Sequence, residues 1–96
     1  MPRAVDVNLD ATEMMLTLEK EKSPRKIEYM KIDRLEKVKE PVRKLLRTVE
    51  VEGIKVSVRG MEEPIVITSD KLGDYENIEN YLLNTVAEKY DVVVEQ

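Results

Sequence analysis

The chain has 96 residues, enough for one hydrophobic core and a single domain spanning 1–96, but too few for a core plus a deep cofactor cleft. Apolar residues make up 42% and charged residues 38%, and the net charge of −4 disfavours non-specific binding of nucleic acid or an anionic membrane by the whole surface. Cysteine and histidine are both absent, which excludes thiol nucleophiles, disulfides, cysteine- or histidine-ligated zinc and imidazole acid–base catalysis.

The abundance of Glu, Lys and Arg reads as a solvated surface of the kind heat-adapted proteins favour, although the four Asn count against that reading. No apolar run approaches the roughly 18 residues of a membrane span, and the N-terminus lacks a signal-peptide core, so a cytoplasmic location is expected.

Val5, Val7 and Leu9 alternate with polar residues, as in a half-buried strand. A turn at Asp10–Thr12 then leads into Met14, Leu16 and Leu18, so the first two runs predict a hairpin. Glu19 to Pro24 reads as an exposed connection. Alternation resumes at Ile27 and Tyr29, then shifts by one residue to Met30 and Ile32, as a bulge or bend requires.

Ile32, Leu35, Val38, Val42, Leu45, Leu46 and Val49 keep helical spacing. Pro41 cuts that run and suits a first helical position, so a short helix is predicted from Pro41 to about Arg47. Leu35 to Lys39 stays open between strand and helical turn. Beyond it, Val49 to Val58 reads as two strands or as one strand bent at Gly53. After a turn at Gly60–Pro64, Ile65 to Thr68 is a β-branched strand that completes a second hairpin.

Asp74 to Tyr90 is the one unambiguous amphipathic helix, with Tyr75, Ile78, Leu82, Val86 and Tyr90 forming a single stripe. Asp74 is expected to cap it, and the stripe to pack on Ile27, Val56, Val58, Ile65 and Ile67. Val92 to Val94 is strand-like in composition, but residues 91–96 are expected to fray. The predicted class is α+β: a curled antiparallel sheet or partly open barrel closed by a C-terminal amphipathic helix.

The run Ile27 to Ile32, then Leu35 to Val38, then Pro41 to Arg47, then the strand Ile54 to Val58, followed by a closing strand and a C-terminal helix, resembles the prokaryotic pleckstrin-homology-like domains. That resemblance covers roughly residues 25–90. It implies a bent, partly open antiparallel barrel capped by the helix, and it brings oligomerisation through sheet edges as an expectation. The usual phosphoinositide mode of such domains is not expected, because the first hairpin loop, Asp10 to Glu13, is acidic.

The densest basic segment is Arg43, Lys44 and Arg47, preceded by Lys37 and Lys39. On a short helix Arg43 and Arg47 would share a face and could hold a phosphate or a partner carboxylate; otherwise they form a solvated face pairing with Glu36 and Glu40. Asp70, Asp74, Glu76 and Glu79 read as helix capping more simply than as a calcium loop, whose ligand spacing they do not follow. Tyr75, Tyr81 and Tyr90 line a pocket or pack against the core.

These residues predict a non-enzymatic binding or assembly module that acts through protein contacts and self-association at its sheet edges, with no cofactor. The alternatives are an electrostatic binder of nucleic acid or a phosphorylated ligand through Arg43, Lys44, Arg47 and Lys37, and a carboxylate-based calcium or magnesium protein.

Overall fold

The computed structural model describes residues Met1–Gln96. Seven strands form one sheet: β1 (Arg3–Leu9), β2 (Glu13–Leu18), β3 (Arg25–Glu28), β4 (Ile32–Lys44), β5 (Arg47–Val58), β6 (Ile65–Thr68) and β7 (Val93–Glu95). Their order across the sheet is β3-β2-β1-β6-β5-β4-β7. One helix, α1, covers residues 75–90. The class is therefore α+β, but the sheet is mixed and stays open, with β3 and β7 as its edges.

Two strand pairs are parallel, and both follow from long connections. β1 lies beside β6, with four strands intervening in sequence; β7 lies beside β4 because α1 carries the chain back across the sheet. The remaining neighbours are antiparallel. The C-terminal segment accordingly does not fray as expected: Val93, Val94 and Glu95 pair with Arg34, Leu35 and Glu36.

The first hairpin is present as predicted, with Met14, Leu16 and Leu18 buried. In β1 the inward set differs. The register shifts between Ala4 and Asp6, so Ala4 and Val7 face the core while Val5 is exposed. A bulge inserts one extra residue and reverses the side-chain phase beyond it. The phase change after Ile27 is a 3-10 turn at Tyr29–Lys31, which buries Tyr29 and exposes Met30.

In α1, Tyr75, Ile78, Leu82, Val86 and Ala87 are buried. Its turns at Tyr75–Asn80 and Ala87–Tyr90 are α-helical, and Tyr81–Val86 between them is π-helical. A reason lies in the stripe itself: residues four apart on an α-helix of 3.6 residues per turn drift by about 40° per step, and a wider turn takes up that drift. Ile78, Leu82 and Val86 thus stay on the sheet. The sheet residues predicted to receive them, Ile27, Val56, Val58, Ile65 and Ile67, belong to the same core.

Asp74 does not cap the helix through its side chain, contrary to expectation. Its backbone carbonyl accepts from Asn77 and Ile78 instead. At the other end Asp91 takes a left-handed conformation at φ 54° and turns the chain into β7.

Candidate functional site

The predicted helix from Pro41 to Arg47 does not exist. β4 and β5 run on through this region as one long hairpin, paired residue for residue from Leu35 and Val56 to Lys44 and Arg47, with Leu45 and Leu46 as its two-residue turn. The segment Leu35 to Lys39 is strand, and Gly53 lies within a single continuous β5.

Beyond Val38 and Gly53 no further strand pairs with the hairpin, and the Ser69 amide, donating to the Glu52 carbonyl at 2.9 Å, ties its root to the body. β7 pairs with β4 at residues 34–36 and β6 pairs with β5 at residues 53–56, so residues 39–44 and 47–52 form a two-stranded ribbon with no third strand. Six residues at about 3.3 Å each make this arm roughly 20 Å long.

The polarity of the ribbon reverses where it leaves the body. Up to Leu35 and Ile54 its apolar side chains face the core. From there outward the core-side face carries Lys37, Lys39, Pro41 and Arg43 opposite Ile54, Glu52, Glu50 and Thr48, while Val38, Val42, Val49 and Val51 lie on the other face. Val42 and Val49 are direct cross-strand partners and are half-buried against their neighbours. Gly53 marks the crossover. A Cβ there would come within 3.1 Å of the Ile67 carbonyl and 3.2 Å of Thr68 Cγ2, so a larger residue would need β5 and β6 to part by a few tenths of an ångström.

At the apex, Leu45 and Leu46 are 98% and 95% exposed. Two-residue hairpin turns ordinarily use Asn, Asp or Gly in left-handed conformations, yet neither leucine has a positive φ. Arg43, Lys44 and Arg47 surround them. Lys44 and Arg47 stand directly opposite each other, an arrangement that repels.

None of these three cations enters an ion pair, although eight other basic residues do. Lys37, the fourth residue singled out from the sequence, is set apart at the root of the arm, with its ammonium 3.7 Å from Glu79. Arg43 and Arg47 do not share a helical face. They flank an apolar tip.

The carboxylates at the helix entrance are dispersed. Asp70 lies 3.8 Å from Arg3, Glu79 accepts a 2.7 Å hydrogen bond from the Tyr75 hydroxyl, and no group of three carboxylates is placed to hold a metal ion. Tyr75 is buried in the core and also borders an open cleft at the helix entrance, whereas Tyr81 and Tyr90 pack on Tyr29. Tyr29, buried, has its ring 6.2 Å from that of Tyr81 and 5.8 Å from that of Tyr90, and its hydroxyl donates to the Asp10 carbonyl at 2.7 Å. Burial raises the pKa of Tyr29 and Tyr75 well above the ordinary phenol value, with Glu79 adding to the effect at Tyr75.

No family model matches the chain, and comparison with curated proteins and with solved structures finds no match. No helix is long and apolar enough to cross a membrane.

Proposed function

We propose that this chain is a non-enzymatic binding module that engages a protein partner through the β4–β5 arm. The observation that carries this reading is the apex: two leucines with almost no contacts of their own, framed by Arg43, Lys44 and Arg47, on a ribbon the rest of the fold leaves uncovered. Exposed apolar side chains rimmed by charge are the usual composition of a contact surface. The sheet edges expected from the sequence remain available at β3, at β7 and along the outer part of β4, but the apex places two almost fully exposed leucines side by side. The absence of His and Cys favours binding over catalysis, and a cytoplasmic site of action belongs to the same reading.

A pleckstrin-homology-like ancestry is also proposed, supported by the two hairpins and the single C-terminal helix lying on the sheet. A second reading, an anionic ligand such as phosphate or nucleic acid, is favoured by one feature: Lys44 opposes Arg47 with no carboxylate between them.

A photoreactive side chain in place of Leu46 should form protein adducts that the same group in place of Met30, another exposed apolar residue, does not. Equal labelling at the two positions would refute the arm as the contact. Salt-sensitive binding of an oligonucleotide, lost in Arg43→Ala/Lys44→Ala/Arg47→Ala, would favour the second reading.

A further inference from the structure

The end of the molecule opposite the arm carries features complementary to its tip. An open cleft of about 420 Å³ lies between the β2–β3 connection and the β5–β6 turn. Pro2 and Met61, both half-buried, are its exposed apolar lining, and Leu18 lies buried beside them. Its rim is acidic. Glu62 and Glu63, both exposed, enter no ion pair.

The other two rim carboxylates are occupied. Glu21 holds Arg25 through two hydrogen bonds of 2.9 and 2.6 Å, which keeps its carboxyl below the ordinary value, and Glu19 lies 3.8 Å from Lys71.

The tip presents two leucines and three free cations; the cleft presents the half-exposed Pro2 and Met61 and two free carboxylates. β5 connects them. Its 12 residues at about 3.3 Å each separate tip and cleft by roughly 40 Å, close to the longest dimension of the molecule, 42 Å. No chain can therefore fill its own cleft.

We infer that the cleft receives the Leu45–Leu46 tip of a second copy, giving a head-to-tail contact between unlike surfaces. Arg43, Lys44 and Arg47 then meet Glu62 and Glu63 while the leucines cover Pro2 and Met61. Such a contact leaves one free tip and one free cleft on every dimer, so association continues into rings or filaments. Both surfaces are small, which places the contact among weak, reversible interfaces burying under about 1,000 Å². This inference rests on the arm being a protein contact.

Two variants test it, Leu45→Glu/Leu46→Glu, which removes the tip, and Glu62→Lys/Glu63→Lys, which removes the cleft. All four positions are exposed, and unchanged urea midpoints confirm that both variants fold. In sedimentation from about 10 µM to about 1 mM, a range that spans weak association, the wild type should grow beyond a dimer and each variant should be monomeric. An equimolar mixture of the two should form a 1:1 complex and stop there, since one intact tip and one intact cleft remain.

Self-association that survives cleft reversal but not tip reversal would overturn the cleft while leaving the arm as a contact surface. A wild type that stays monomeric throughout, or that responds only to anionic phosphatidylserine vesicles, would overturn the inference outright. The crosslinking at position 46 judges the arm independently.

Discussion

Leucine-to-alanine substitutions at the helix stripe and at the arm tip remove the same atoms and should have opposite consequences. Leu82 is fully buried at 0% exposure in the core between α1 and the sheet. Its truncation deletes three carbon atoms at about 0.8 kcal/mol for each buried methylene, and a partly collapsed cavity adds to that, giving a loss of about 3–4 kcal/mol.

A domain of this size has a total stability of roughly 5–14 kcal/mol. With a urea dependence of about 1–3 kcal/mol/M, the midpoint followed by circular dichroism should fall by roughly 2 M. Leu45→Ala/Leu46→Ala deletes twice as many atoms, but from side chains already in water. Its stability should stay within about 0.5 kcal/mol of wild type, while self-association disappears. A loss under about 1 kcal/mol for Leu82→Ala would mean the stripe is not the core; one above about 1 kcal/mol for the double variant would mean the tip packs against its own chain.

Gly53→Ala should destabilise by about 1–3 kcal/mol in the same assay, because the new Cβ meets a backbone carbonyl that cannot rotate away; an unchanged midpoint would show that β5 and β6 can separate freely. Leu45→Asn/Leu46→Gly replaces the apex with residues suited to a two-residue turn and should leave the midpoint equal to or above that of wild type while abolishing the contact.

Alkaline stability follows from the buried phenols. The folded-state pKa of Tyr29 and Tyr75 is raised above the unfolded value of about 10, so their contribution is intact below that value and is lost as pH rises beyond it. The urea midpoint should therefore decline above about pH 10, and less steeply in Tyr29→Phe/Tyr75→Phe; identical slopes would place the loss elsewhere.

The core was legible because its signals are periodic and mutually consistent. Met14, Leu16 and Leu18 alternate along a strand, and Ile78, Leu82 and Val86 stack along a helix. The arm was misread for a definite reason. Val42 and Val49 face each other across a two-residue turn, and a hairpin folded about Leu45–Leu46 places apolar residues at the same three- and four-residue intervals as a helix. Without glycine or asparagine at the apex, the sequence carries no turn signal to separate the two readings.

In β1 Val7 and Leu9 lie on or against the core as the alternation requires, and only Val5 is turned outward, because no residue type announces the bulge between Ala4 and Asp6. β7 needed the path of α1 back to β4 before its three residues had a partner. The basic residues of the candidate site were identifiable from charge density, but the element that displays them was not.

The same apex breaks two local rules at once. Leucines occupy a turn where polar residues would fold more readily, and Lys44 faces Arg47 where opposite charges would attract. Neither choice stabilises the hairpin, and both act at one point, some 20 Å from the nearest buried layer. The whole chain carries a net charge of −4; with the three cations of the tip set aside, the remainder carries −7. Three of the sixteen basic residues are thus placed at the far end of the arm, unpaired. Local preferences that conflict with folding and concentrate at an extremity are expected where a surface is shaped for a partner, and a partner bearing carboxylates around an apolar floor would satisfy both departures together.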